Sequence, residues 1–315
     1  MKHISLSVYK VTINKYQNKD SEILTDYDHG KNLLKQVDTM FLSWKSNLSK
    51  DENTSNVCRI KKKSNTEWEY HVHSTYIDGI IESGEYGTQE EIIGVKKGER
   101  RFLKTPQDAT MYPFYFMLFI RPNSKDGYLI LERIGNMGIL TITSKAIREN
   151  IAKELSDHYI IDIRPYIVPE ILRVNLRDNG GIKKVILKGA KLKQLSESTI
   201  DQAFNDCQTQ VSFVAPKNQY IQKGQDLLKN LLEKENTRKD NEPYDVGSIE
   251  CSSVSFELNI NGSTRTVSVA NLTSIGMNID VTHCIECDGT GYPMYNSLHN
   301  EAHKILSYII PESQI

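Results

Sequence analysis

The sequence lacks a long apolar run, and this absence argues against a transmembrane helix. Its longest apolar stretch, residues 111–120, has about half the length that a helix needs to cross a bilayer. The first residues, Met1 to Ser5, are followed by no apolar segment of the kind that signal peptides contain. We therefore expect a cytoplasmic protein with no transmembrane segment, whose thiols are reduced.

Cysteine is scarce, and neither sign of charge is in excess. The chain has 5 cysteines among 315 residues, an odd number that does not suggest a disulfide framework. A chain of this length can bury a core without such bridges. The net charge is −1, from 39 basic and 40 acidic residues, so nucleic-acid binding would have to come from local basic patches.

Recognisable catalytic motifs are also missing. The sequence contains no Gly-x-x-x-x-Gly-Lys-Ser/Thr phosphate loop, no dinucleotide-binding glycine pattern and no Gly-x-Ser-x-Gly nucleophile elbow. Restriction-type nucleases bind Mg²⁺ through a carboxylate and a Glu-x-Lys on a strand, and no such Glu-x-Lys accompanies the acidic residues Asp78, Glu82 and Glu85. The sequence therefore favours a non-enzymatic role without securing one.

A strong β-hairpin pattern is present at residues 112–134. Two apolar runs flank the polar segment Arg121–Gly127, an arrangement typical of antiparallel strands joined by a turn. The first run is apolar at nearly every position, which is typical of a strand with both faces covered. We expect this hairpin to lie at the centre of a sheet.

The predicted fold class is α+β, with mostly antiparallel sheets, flanking helices and two parts. A β-rich N-terminal domain at 1–145 is built on the hairpin, and a mixed α/β C-terminal domain at 146–315 contains a flexible loop at 233–248. A single strand is expected from Ile92 to Leu103. Apolar periodicity predicts helices at 29–48, 144–155, 170–177, 219–234 and 294–310.

Basic residues cluster in three segments. Each lysine that contacts a phosphate adds salt-sensitive affinity, so strands bearing these residues would bind DNA if they converge into one surface. The alternative, slightly favoured, is that these are ordinary solvated strand faces. The candidate DNA-binding residues are Arg59, Lys61, Lys62 and Lys63; Arg100, Arg101 and Lys104; and Lys183, Lys184, Lys188 and Lys191.

Two cysteines and two histidines near the C-terminus have spacings that suit a metal site. Cys284 and Cys287 form a Cys-x-x-Cys pair, and His299 and His303 follow at helical i, i+4 spacing. Two thiolates and two imidazoles can bind Zn²⁺ tetrahedrally, which predicts a structural zinc site. The favoured alternative is buried cysteines and surface histidines, with no cofactor.

A second histidine pair, His71 and His73, has the spacing that places both side chains on one face of a strand. A pair on a polar sheet face is the favoured interpretation. A hydrolase site assembled from distant residues such as His73, Asp78 and Glu82 is a further hypothesis.

The order of elements resembles the RexA-like phage-exclusion proteins. The resemblance consists of a β-rich N-terminal part, the aromatic strand Pro113-Phe-Tyr-Phe116, a turn, a second strand, a helix, and a mixed C-terminal part that ends in a long helix. It implies a dimeric DNA-binding protein of a phage-defence system. No individual site residue is carried over by it.

Three functional hypotheses follow. The first is a non-enzymatic DNA-binding protein of a bacterial phage-defence or mobile-element system, assembled as a homo-oligomer or with a partner protein of the same operon. The second is a protein-interaction or sensor subunit of a defence complex. The third is the hydrolase.

Overall fold

The computed structural model describes residues 3–16, 20–152, 159–192, 209–235, 242–260, 263–270 and 278–310. Contacts divide the chain into two compact units. The first contains Met1–Arg164 and Asn278–Ile315, and the second contains Pro165–Met277. Within the described ranges, no helix is long and apolar enough to cross a membrane.

The described elements are strands and helices of an α+β protein. The strands are β1 Ile4–Lys15, β2 Ser49–Asp51, β3 Asn56–Ile60, β4 Tyr70–Val72, β5 Tyr76–Glu85, β6 Glu90–Ile93, β7 Arg100–Lys104, β8 Tyr112–Ile120, β9 Gly127–Ile134, β10 Met137–Gly138, β11 Tyr159–Pro165, β12 Gly180–Lys188, β13 Lys191–Leu192, β14 Gln210–Val214, β15 Tyr244–Val246, β16 Ile249–Cys251, β17 Ser253–Ile260, β18 Ser263–Ser268 and β19 Asn278–Asp280. The helices are α1 Leu33–Ser46, α2 Leu140–Ala152, α3 Pro169–Asn179, α4 Gly224–Glu235 and α5 Tyr295–Ile309.

The first unit is built on one antiparallel sheet, with the strand order β11-β1-β9-β8-β5-β3-β2. Shorter strands extend it, since β4 pairs with β5, β10 with β9 and β19 with β1. The predicted hairpin is confirmed: β8 and β9 pair antiparallel from Phe116–Leu131 to Ile120–Gly127. Both strands lie in the middle of the sheet, as expected.

Both faces of β8 are covered, which explains why its sequence is apolar without alternation. Every residue from Phe114 to Ile120 is buried. On one face, Phe116 packs against Phe41 of α1 with ring centroids 4.6 Å apart. On the other face, Tyr115 packs against Tyr295 of α5 at 5.9 Å. The sheet is therefore enclosed between helices on its two sides.

Helix α1 begins at a capped end, and this cap gives a test of the fold. The side chain of Asn32 accepts a hydrogen bond from the Lys35 backbone N–H at 3.2 Å. Replacing Asn32 with alanine leaves that N–H without its capping partner and should lower the free energy of unfolding by about 1 kcal/mol. Urea denaturation measures the change. Asn47→Ala at the other end of α1 is the control, because the cap there uses the backbone N–H of residue 47; equal losses from both substitutions would contradict the prediction.

Two predicted elements in the first unit have different bounds in the structure. Helix α2 begins at Leu140 rather than Ser144, because Ile142 already belongs to its buried stripe and the Thr143 N–H donates to the carbonyl of Ile139, just before the helix. The single strand predicted from Ile92 to Leu103 is wrong, since this segment forms the hairpin β6–β7. Gly98 adopts a φ of +70° in the turn, a conformation that suits glycine, and its N–H donates to the Gly94 carbonyl at 2.7 Å.

The second unit has a four-stranded antiparallel sheet in the order β14-β12-β17-β18. Helices α3 and α4 bury Leu172, Leu176, Leu228 and Leu232 in a core with Val185 and Phe256 of this sheet. A smaller sheet joins β13, β16 and β15. The predicted strand pair around residues 261–262 is present as β17 and β18, although its turn lies outside the described residues.

The division into units differs from the predicted boundary at residue 145. Residues 146–164 and 278–315 belong to the first unit because β11, β19 and α5 return to its sheet. Of the loop predicted at 233–248, the described parts include the end of α4 and the strand β15. Residues 236–241 lie outside the described ranges.

Candidate acid–base site

Asp78 is a carboxylate with 0% exposure near the start of β5. One of its oxygens, Oδ2, accepts hydrogen bonds from the Tyr115 hydroxyl at 3.0 Å and the Tyr295 hydroxyl at 2.8 Å. The same oxygen lies 2.7 Å from Nδ1 of His299. A buried charge is costly unless it is paired and hydrogen-bonded, and these three donors meet that requirement.

The local fold explains how these side chains meet. Strand pairing places His71 of β4 directly opposite Asp78 of β5, so both side chains lie on the same face of the sheet. Helix α5 packs on that face through Leu298, Ala302, Ile305 and Leu306, which are buried. Tyr295, His299 and His303 follow one another at i, i+4 spacing and therefore lie on one side of α5.

Four of the 8 histidines of the chain gather around Asp78. The rings of His299 and His303 are 4.4 Å apart. His303 packs edge-on against Tyr76 at 5.2 Å, and His73 stacks on the same tyrosine at 4.1 Å. His71 lies 4.9 Å from the Tyr295 ring. We call Asp78, Tyr295, His299 and His303 the acid–base cluster.

Two buried atoms of this cluster have no hydrogen-bond partner among the described residues. They are Oδ1 of Asp78 and Nε2 of His303. The side chain of His299 remains 25% exposed. The cluster therefore combines the buried carboxylate of Asp78 with the imidazole of His299, which solvent can reach.

Burial sets the protonation of two members of the cluster. It lowers the pKa of His303 below the ordinary value of 6.5, and the neighbouring His299 lowers this pKa further while Asp78 opposes the shift. Burial and the charge of Asp78 both raise the pKa of Tyr295. At neutral pH, His303 is therefore mainly neutral and Tyr295 is a protonated donor.

The Asp78–His299 contact has a defined chemical consequence. A carboxylate that accepts from Nδ1–H fixes the tautomer and orientation of the ring and leaves Nε2 available for proton transfer. It also stabilises the imidazolium that forms when Nε2 takes a proton. With neutral His303 beside it, the cluster can provide one proton acceptor and one proton donor.

A search against protein-family models and a search of curated proteins found no match to this chain.

A second buried carboxylate lies on the same face of the sheet. Glu132 of β9 is 1% exposed, and its Oε2 accepts from the Tyr115 backbone N–H at 2.7 Å. The pairing of β8 with β9 begins at Phe116 and Leu131, one residue after Tyr115. The Tyr115 N–H therefore lies outside this ladder, and the Glu132 carboxylate accepts its hydrogen bond instead. Burial raises its pKa to about 7. Tyr115 thus connects both carboxylates, one through its N–H and one through its hydroxyl.

The predicted basic residues of the first unit are mostly paired with carboxylates. Arg59 donates to Glu82 at 2.8 Å, and Arg100 and Arg101 lie 3.3 Å and 3.5 Å from Glu91 and Glu99. Lys104, which is 4% exposed, donates to Glu90 at 3.0 Å. Lys62 lies over the Trp68 ring at 5.1 Å, while Lys61 and Lys63 line a cavity beside the N-terminus of α5.

The remaining predicted basic residues belong to the second unit. Lys183 donates to the Gln219 carbonyl at 3.0 Å and lies 4.3 Å from the centre of the Tyr220 ring. Lys184 pairs across the sheet with Glu257, and Lys188 with Ser253. Lys191 is on β13, in the smaller sheet. The candidate DNA-binding residues are thus distributed over both units.

The four residues of the predicted zinc site do not come together as a metal centre. Cys284 is exposed and Cys287 is half-buried, both before α5, whereas Nδ1 of His299 contacts Asp78. Across the part of the chain that the structure describes, no group of three or more His, Cys, Asp or Glu side chains is placed to hold a metal ion.

Three members of the cluster, Asp78, His299 and His303, were candidates from the sequence, but in separate hypotheses, and Tyr295 was not. Asp78 and His73 appear in the hydrolase hypothesis, but the third residue, Glu82, is held by Arg59 instead. The spacings of His71 with His73 and of His299 with His303 were visible as separate pairs. The tyrosine partners of Asp78 had no visible pattern, because they come from β8 and α5.

Proposed function

We propose that this protein is an RNA-cleaving enzyme that uses His303 and His299 for acid–base catalysis. The observation that supports this most is the Nδ1–Oδ2 contact of 2.7 Å between His299 and the fully buried Asp78. A buried carboxylate that orients a partly exposed imidazole is the arrangement by which enzymes position a proton-transfer group. The proposal extends the hydrolase hypothesis of the sequence.

RNA is the proposed substrate because it supplies its own nucleophile. Neutral His303 takes the proton from the 2′-hydroxyl through Nδ1, since its Nε2 is buried. The 2′-oxygen then forms a bond to the adjacent phosphorus. The bond from phosphorus to the 5′-oxygen breaks, and His299 gives that oxygen a proton. The products are a 2′,3′-cyclic phosphate and a 5′-hydroxyl. Two imidazoles are sufficient for this step, and the rings of His299 and His303 lie 4.4 Å apart.

Lysine residues near the cluster support a phosphate-bearing substrate. Lys61 and Lys63 line the cavity that Tyr295 also borders, and Tyr295 in turn donates to Asp78. Lysine binds phosphate as a point charge. A strand of RNA that passes these lysines would reach the imidazoles next to them.

The experiment compares three end-labelled oligonucleotides of the same sequence: RNA, 2′-O-methyl RNA and DNA. We expect cleavage of RNA alone, with a cyclic phosphate on the upstream fragment, because the other two have no free 2′-hydroxyl. A chelator in the buffer and a His299→Ala protein purified in parallel control for contaminating nucleases. Cleavage of all three substrates, or equal cleavage by the variant, would reject the proposal.

The pH dependence of cleavage provides a separate prediction. His303 accepts a proton only while it is neutral, and burial lowers its pKa below 6.5. The acid-side fall of kcat/KM should therefore lie below pH 6.5, the ordinary value for histidine. Rates measured from pH 4.5 to 9 locate this fall. A fall centred above pH 6.5 would remove His303 from the role of base.

DNA binding without catalysis, as part of a phage-defence system, is the second candidate. The observation that favours it is that Lys62 and Lys63 are exposed and form no salt bridge within the described ranges. A gel-shift titration at several salt concentrations tests it with a K62E/K63E double variant. Binding that weakens with salt and is lost in the variant supports this candidate, whereas binding unchanged by the variant excludes these lysines.

A further inference from the structure

A cavity of about 240 Å³ lies beside the acid–base cluster. Its walls include Ile80, Pro113 and Pro293, and Tyr295, which donates to Asp78, also lines it. Typical sites for drug-sized ligands are larger, at roughly 300–1,000 Å³, so this volume suits one small ring system. We call it the Glu132 cavity.

Glu132 gives this cavity an unusual polar group. Glu132 lines the cavity, is 1% exposed, and uses Oε2 to accept from the Tyr115 N–H. The other oxygen, Oε1, is buried and has no hydrogen-bond partner among the described residues. A buried carboxyl oxygen without a partner costs free energy, and a ligand with N–H donors would remove that cost.

Cationic groups line the same cavity. Lys61 and Lys63 line it, and so do Tyr295 and Asn296 in the first turn of α5. Met294, which precedes α5, makes no side-chain capping bond to this turn. The cavity thus combines the buried Glu132 carboxyl with two lysines, two further acidic residues, Glu69 and Asp288, and apolar walls.

We propose that the Glu132 cavity binds a guanine base of the RNA substrate. Guanine presents N1–H and N2–H₂ as adjacent donors, which complement the Glu132 carboxylate, and O6 and N7 as acceptors, which complement Lys61 and Lys63. Adenine has an amino group where guanine has O6 and no proton on N1, so it does not match this set. The apolar walls and the Tyr295 ring suit the flat faces of the base.

This inference rests on the proposed function, since it assigns recognition of the nucleobase to the site that cleaves the RNA. Binding and cleavage can nevertheless be measured separately. Guanosine 5′-monophosphate is the probe, and its affinity for the full chain is determined by calorimetry against the adenosine, cytidine and uridine monophosphates. We expect the guanine nucleotide to bind about 5- to 150-fold more tightly than the others, as one good two-bond contact allows.

Two variants test the assignment of Glu132. Glu132→Gln should remove the preference for the guanine nucleotide, because the amide cannot accept both donors. Glu82→Gln is the matched control, since Glu82 lies on the same sheet, pairs with Arg59 and does not line the cavity. Circular dichroism confirms that each variant is folded. If Glu132→Gln does not fold, inosine monophosphate replaces it as the test, because it lacks the 2-amino group and should bind more weakly.

The outcomes separate the two proposals. A guanine preference that His299→Ala retains and Glu132→Gln loses supports the cavity assignment, even if no RNA is cleaved. Equal affinities for all four nucleotides, no binding of any of them, or an unchanged preference in Glu132→Gln would overturn it. Cleavage of RNA at every base with equal rates would also contradict it while leaving the acid–base proposal intact.

Discussion

Replacing His299 with alanine should lower the rate of RNA cleavage by about 10²- to 10⁴-fold, the range typical of a lost general acid or base. The fold should persist, because His299 is partly exposed and the residues that pack α5 on the sheet are Leu298, Ala302, Ile305 and Leu306. Single-turnover cleavage of a labelled RNA measures the rate. Chemical denaturation of the same protein measures stability.

Asp78 should act through His299, and a double-mutant cycle can show this. Asp78→Asn keeps the size of the side chain but removes the charge that stabilises the imidazolium, so it should also slow cleavage substantially. When two residues act as a unit, the effects of replacing them are not additive. The double variant should therefore cleave hardly more slowly than His299→Ala alone. The pH–rate profile of Asp78→Asn should change shape, which a general loss of stability would not produce.

The control for this cycle is His283→Ala, an exposed histidine on the segment before α5. It should leave the rate unchanged. Losses from Asp78→Asn and His299→Ala that multiply in the double variant would mean that the two residues act independently. In that case the Asp78–His299 contact at 2.7 Å would be structural, and the effect of His299→Ala on cleavage would need another explanation.

The parts of the fold that could be predicted are those whose pattern is local. The run Tyr112–Ile120 with its following turn and second strand predicted β8 and β9, since a hairpin pairs residues that are close in sequence. The helix bounds were less accurate where the buried stripe begins earlier than the cap-like residue, as at Ile142 and Ser144. The pairing of β19 with β1 joins opposite ends of the chain and leaves no local pattern.

The acid–base cluster shows the same limit. His299 and His303 were visible as an i, i+4 pair, and their nearness in sequence to Cys284 and Cys287 suggested a zinc site as the less favoured of two interpretations. The contact of His299 with Asp78 spans 221 residues and depends on how α5 packs on the sheet. Sequence spacing identifies which side chains share a face of one element, but it does not identify the element that faces them.

The stability of the protein should depend on the protonation of Glu132. Burial raises the pKa of this carboxyl from its ordinary 4.5 to about 7, so between these values the folded state binds more protons than the unfolded state. Stability from this group is therefore fully present below pH 4.5 and is lost as the pH rises through about 7. A shift of this size corresponds to roughly 3 kcal/mol.

Glu132→Gln removes the titrating group but retains an oxygen that can accept from the Tyr115 N–H. The difference in unfolding free energy between variant and wild type cancels the contributions of all other titrating groups. We expect this difference to move in favour of the variant by about 3 kcal/mol between pH 4.5 and pH 8, measured by urea denaturation. A difference that is the same at both pH values would mean that the buried carboxyl is ionised in the folded state throughout this range. Since the guanine assignment needs a carboxylate that accepts N–H donors, the nucleotide should in turn bind more tightly as the pH rises through 7, and its binding should reduce the destabilisation that ionised Glu132 causes.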